Sequence, residues 1–183
     1  MAGSTLLHEG AGRWYRAPLV DDMSDFPYRA LGALSRNAAF RALHRLSYEA
    51  TDGRWIVGRS LGVDTVLLTV TGRRSGRSRT LPLYAFRAGA AGLSGLPGSW
   101  AVVATNGGAP AEPRWSLDLR ATPSAVLRHR DVSMAVVARE ATEDEWVALW
   151  PSIVAAYPGY EGYRRRRPAG APILILEPAA SVR

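Results

Sequence analysis

The stretch TVLLTVTGRRSGRSRTLPLYAFR, residues 65–87, decides the fold. Its first seven residues are β-branched and apolar and stop at Gly72, which predicts a strand. Residues 72–78 gather glycine, serine and arginine, the composition of a turn, and residues 79–87 read as a second strand. Downstream, glycines at 89, 92, 95 and 98 predict a long hairpin connection to a third strand over residues 100–105. Pro113 sits where a first-turn proline belongs, and Trp115, Leu117 and Leu119 predict a short helix that ends before Thr122-Pro123. Two more strands follow over 124–129 and 132–140, broken by His129-Arg130-Asp131. Thr142 with Glu145 three residues on is a capping box, and Trp146, Leu149, Trp150 and Ile153 mark one face of the helix that follows. Residues 172–177, PILILE, form a continuous apolar run, the pattern of a central strand buried on both faces.

Upstream, Leu31, Leu34, Ala38, Ala42 and Leu46 recur at steps of three or four, which predicts one amphipathic helix over 28–48. Two roles fit it, packing on the sheet or lying on an anionic membrane surface. Residues 1–30 show no sustained period and read as an irregular arm. Residues 31–183 read as one domain, with its first helix at about 31–48 and its strands at about 65–178. About six strands, without regular alternation with helices, predict a β-rich α+β fold in which an antiparallel sheet forms a closed or split barrel.

Composition narrows the chemistry. The chain of 183 residues has no cysteine, which removes disulfides and thiol nucleophiles, so redox chemistry needs a borrowed cofactor. All 23 basic residues are arginine, so lysine Schiff bases are excluded and arginine does the anion binding. His8, His44 and His129 stand singly, without metal-ligand spacing; no metal is expected and they read as surface or capping residues. A net charge of +7 favours an acidic partner. No helix-turn-helix, zinc finger or RNP-like strand accompanies it, so nucleic acid is not expected. No apolar run approaches the ~20 residues of a membrane span, and the start of the chain lacks an apolar signal core; the expected location is cytoplasmic.

Three constellations carry candidate chemistry. Residues 72–79, GRRSGRSR, place four arginines and two serines between glycines, a loop suited to phosphate or carboxylate. It reads equally as a solvated basic turn. Residues 104–110, ATNGGAP, follow directly on a strand, where glycines let backbone approach a flat ligand, and Trp115 stacks on such a ligand or fills the core. Tyr157, Tyr160 and Tyr163 recur at three-residue spacing, as a pocket wall with a phenol proton donor or as ordinary packing, with Arg164 to Arg167 a solvated run.

Taken in order, TVTGRRSGRSRTLPLY, VVATNGGAPAEPRWSLDLRATP, YPGYEGYRRR and the terminal PILILEP resemble the deazaflavin (F420)-dependent nitroreductases of actinobacteria, also described as F420-dependent quinone reductases. The resemblance implies a split β-barrel of the FMN-binding split barrel type, often dimeric in the wider superfamily. It also implies an F420 coenzyme whose phosphate and glutamate tail suit the arginines. By the same resemblance Arg74, Ser75, Gly76 and Arg79 hold that tail, Leu81, Pro82 and Tyr84 flank the deazaflavin, and Ala104, Thr105, Asn106, Gly107 and Trp115 approach it. Tyr157, Tyr160 and Tyr163 line the acceptor side, with Tyr160 and Thr105 as candidate catalytic groups. The acceptor implied is a quinone, nitroaromatic or enone. The sequence departs from the family pattern at Asn106, commonly lysine, and at Asp118, commonly asparagine, which together remove a cation and add an anion near an acidic coenzyme. Two alternatives remain, an FMN-binding reductase of the same fold and a non-enzymatic protein that binds lipid or another anionic ligand.

Overall fold

A computed structural model describes residues 26–54, 59–60, 62–88, 97–167 and 170–179. The chain enters it through two helices, α1 (Phe26–Ser35) and α2 (Ala38–Thr51), where the apolar period predicts one. The period runs through the break and so conceals it. Asn37 makes it: extended backbone and a side chain that accepts from the N–H groups of Ala39 and Phe40 start a new helix. The strands and helices that follow are β1 (Arg59–Ser60), β2 (Val63–Thr71), β3 (Ser78–Arg87), β4 (Trp100–Val103), α3 (Arg114–Ala121), β5 (Ser124–His129), β6 (Val132–Glu140), α4 (Glu143–Ala156), α5 (Gly159–Arg165) and β7 (Ile173–Pro178). Most of the predicted hairpin connection, residues 89–96, and residues 1–25 of the predicted arm lie outside the described residues.

The sheet order is β1-β2-β3-β4-β7-β6-β5, and β2 also pairs with β5. Every pairing is antiparallel, so β2, β3, β4, β7, β6 and β5 close a six-stranded barrel. Alternation along each strand then divides the core in two. Val66, Leu68 and Val70 of β2 point inward with Trp100, Val102, Leu127, Val136, Leu174 and Leu176. Ala101, Val103, Ile173 and Ile175 point outward and are covered by Trp146, Leu149, Trp150 and Ile153 of α4. This explains the continuous apolar run of β7: it lies between β4 and β6, with Leu174 and Leu176 inside the barrel and Ile173 and Ile175 under the helix.

Side chains fix the ends of these elements. The capping box of α4 forms as predicted, and Arg139 of β6 grips the same Glu145 carboxylate through two 2.6 Å bonds. That grip, the largest influence, holds the Glu145 carboxyl down at about 2. Glu161 of α5 is fully buried, and Trp150 Nε1 and Arg164 donate to it, which pins α5 onto α4. No described helix is long and apolar enough to cross a membrane.

Candidate active site

The barrel is closed at β2–β5 but opens between β3 and β4. Those two strands pair only over Ala85–Val102, Phe86–Ala101 and Arg87–Trp100, while β3 pairs with β2 from Ser78 through Ala85. The first half of β3 therefore has a strand on one side only, and β4 leaves the sheet after Val103. Pro82, which has no N–H for a second ladder, lies in this one-sided stretch. Leu81 and Leu83 turn into the barrel core, and Tyr84 turns outward onto the ring of Tyr157, at 5.4 Å between centroids.

At one end of this opening lies the basic turn. Gly72 N–H donates to Arg77 carbonyl at 2.9 Å and Gly76 N–H to Gly72 carbonyl at 2.8 Å, with Gly76 at a φ of 64°. The turn is thus closed on itself, and Arg74, Ser75, Gly76 and Arg79 are exposed on it. Among the described residues neither Arg74 nor Arg79 joins an ion pair. Arg73 does: its backbone N–H and its Nη1 both donate to Asp118 Oδ1, at 3.1 and 3.0 Å. Asp118 is buried on α3, so the added anion is neutralised by the loop itself and ties the turn to the helix behind it. Trp115, three residues earlier on α3, is half-buried against the barrel core.

After β4, residues 104–108 form a tight turn whose last three residues are left-handed. Asn106, Gly107 and Gly108 have φ of 51°, 59° and 79°. Ala104 and Thr105 are buried, and the Asn106 amide folds back to donate to Ala111 carbonyl at 3.0 Å. Helix α1 lies directly on this turn. A Cβ on Gly107 would stand 2.5 Å from Gly32 carbonyl oxygen, so the two backbones touch, and Arg36 Nη1 donates to Gly107 carbonyl at 3.1 Å.

The three tyrosines come together, although not on one helical face: Tyr157 caps α4, and Tyr160 and Tyr163 belong to α5. All three are buried, with Tyr28 and Phe86 packed edge to face on Tyr157 and Tyr160 and Tyr84 tilted against Tyr157. Tyr163 donates to Tyr28 carbonyl at 2.7 Å, which leaves Tyr157 to donate to Tyr163 at 3.1 Å. Burial pushes the phenols of Tyr157 and Tyr160 above the usual range, so both keep their protons.

An exposed cationic turn, a one-sided strand edge, a left-handed backbone turn and a cluster of buried neutral phenols thus meet at β3 and β4: the first turn leads into β3, Tyr84 of β3 touches the phenols, and the second turn follows β4. The model of a protein family described as F420H(2)-dependent quinone reductase matches residues 40–178 of this chain. The chain belongs to this family. Two solved structures are similar to it. One, titled a domain-swapped dimer, is 30% identical with a TM-score of 0.55 and covers 74% of this chain and 94% of its own. The other, titled an F420-H2 dependent reductase, is 32% identical with a TM-score of 0.52 and covers 62% and 93%.

As a member of the F420H2-dependent quinone reductases, the chain is an oxidoreductase whose cofactor is F420, on a split-barrel fold. The residues fit such a coenzyme, because two exposed guanidinium groups, without a carboxylate partner among the described residues, stand on the turn and strand start that lead into the one-sided half of β3. Sequence reading did not find the Arg73–Asp118 tie, the seating of α1 on Gly107 or the burial of Arg167. The departure at Asp118 was a signal for the first, and Gly32 in the middle of a helix for the second.

Proposed function

We propose that this reductase passes electrons from reduced F420 to a flat conjugated acceptor, with quinones first and nitroaromatics and enones as further members of the class. Bound and reduced, the deazaflavin supplies a hydride. The observation that carries the reading is the one-sided half of β3, which runs from the cationic turn toward the phenol wall.

On this reading Arg74 and Arg79 bind the acidic tail, and Ser75 and Gly76 shape the turn that presents them. Leu81, Pro82, Tyr84, Ala104, Asn106, Gly107 and Trp115 bound the space for the ring system, Asn106 mainly through the backbone, since its amide serves the turn. Tyr157, Tyr160 and Tyr163 line the acceptor side. Tyr160 keeps its proton because burial raises its phenol, so it serves as an O–H donor to the acceptor oxygen that gains charge; Thr105 offers a second hydrogen bond there.

Fluorescence titration with F420 tests the coenzyme half. Charge-assisted bonds are worth ~1.5–3 kcal/mol, so Arg74→Ala and Arg79→Ala should each weaken binding about tenfold or more. Unchanged affinity in both would remove the anchor assignment. With a quinone and a nitroaromatic as acceptors, Tyr160→Phe should lower kcat while F420 affinity stays, and an unchanged kcat would remove the O–H donor.

Two features support partners. Val126, Val132 and Val137 are exposed on the β5–β6 hairpin, which favours a homodimer, as one similar structure is titled; light scattering of the purified chain decides it. Leu34, Leu43 and Leu46 are exposed on α1 and α2 beside Arg41, which favours peripheral contact of a cytoplasmic protein with anionic membrane. Co-sedimentation with phosphatidylglycerol vesicles, lost in Leu43→Ser, decides that.

A further inference from the structure

Of the four arginines at 164–167, one is exposed and two are partly buried with a partner in α5. Arg164 bonds Glu161, Arg165 is exposed, and Arg166 lies over the Tyr163 ring at 5.4 Å. Arg167 is different: it is 3% exposed. Its Nη1 donates to Ala104 carbonyl, while Nε and Nη2 meet no acceptor among the described residues. Burial lowers its proton affinity first; Glu112 opposes that and Arg120 adds to it. Placing a guanidinium out of water is unfavourable by several kcal/mol, and one carbonyl bond does not offset that.

Ala104 is where the chain leaves the barrel. Its N–H donates to Pro172 carbonyl at 2.8 Å and its carbonyl accepts from Arg167, so both of its polar groups are tied to the segment between α5 and β7. Immediately afterwards come Asn106, Gly107 and Gly108, three successive positive-φ residues that no sheet ladder holds. The far end of the same segment is Glu112, fixed by Ser116 at 2.7 Å and Arg120 at 2.9 Å. Arg167 therefore holds the first end of residues 104–112 by a hydrogen bond, while Ser116 and Arg120 hold the last.

We infer that Arg167 is a positioning residue: through the Ala104 carbonyl it sets the path of the backbone turn at 105–108 that borders the coenzyme opening. This rests on the reading that the turn faces F420. The full chain, Arg167→Met, Arg167→Lys and the exposed control Arg165→Met are compared by F420 fluorescence titration, hydrogen exchange of amides 105–109, and Tm. Arg167→Met should raise the F420 Kd about tenfold and speed exchange across the turn. Arg167→Lys keeps a donor and should recover part of both, and Arg165→Met should change neither. If Arg167→Met lowers Tm while F420 Kd and turn exchange stay at wild-type values, Arg167 serves packing alone and the inference is overturned. Should the methionine variant not fold, Arg167→Gln, too short to reach the Ala104 carbonyl, takes its place, and wild-type Kd and turn exchange in it overturn the inference. A wild-type chain that does not bind F420 sinks the functional reading, while the exchange comparison still decides the role of Arg167.

Discussion

His129 sits inside the end of the barrel opposite the basic turn, its ring 4.8 Å from that of Trp100, where an isolated histidine reads from sequence as a surface residue. Burial lowers its proton affinity first; Arg87 and Arg130 lower it further, while Asp64, 3.9 Å from Nε2, and Asp131 oppose them. Its pKa in the fold is thus below the 6.5 of the unfolded chain. Below that value the unfolded chain takes up a proton that the barrel resists, so stability should fall as pH drops through 6.5. The Tm should decline between about pH 7.5 and 5.5, and His129→Phe should flatten that decline. An equal slope in the variant would assign it to other groups. Arg167 teaches the same point about single residues. A run of four arginines reads as solvated because sequence period ends with α5, and only the turn back toward β7 carries the fourth inward.

Elements were the most legible level, because each rests on local rules. The β-branched apolar run of residues 65–71, the Thr142–Glu145 box and the apolar run of β7 mark strand, helix start and central strand where the structure has them. The break at Asn37 was not legible, since the apolar stripe continues through it. Nor was the seating of α1, which depends on a backbone far away in sequence. That contact makes a test at this scale. Gly107→Ala puts a methyl group 2.5 Å from Gly32 oxygen and forces alanine into a φ of 59°, a strain of ~1 kcal/mol or more. Gly32→Ala meets Gly107 oxygen at 2.7 Å without a positive φ. Both should loosen α1 and speed hydrogen exchange of amides 30–36, Gly107→Ala also altering the coenzyme turn. Wild-type exchange in both would mean that α1 is held elsewhere, through Tyr28 and the tyrosines.

At the scale of the molecule, β2 stands between the barrel's closure and its opening. On one side it meets β5 over three pairs, Leu67–Arg128, Leu68–Leu127 and Thr69–Val126. Near that seam Arg128 pairs with Asp52, and the Tyr48 hydroxyl accepts from Arg130 N–H at 2.7 Å, which fastens α2 across the lower end. On its other side β2 supports β3, whose far edge is the stretch proposed to hold the coenzyme. Stability and binding therefore draw on opposite sides of one strand. Leu127 is fully buried on the closure side, so Leu127→Ala should destabilise the fold by ~2–5 kcal/mol, read by denaturant unfolding. At temperatures where the variant stays folded its F420 affinity should match wild type, whereas Arg74→Ala should do the reverse, losing affinity with little change in unfolding. A Leu127→Ala chain that is folded yet binds F420 poorly would show that closing the barrel at β2–β5 sets the width of the opening at β3–β4, and that the two sides act as one.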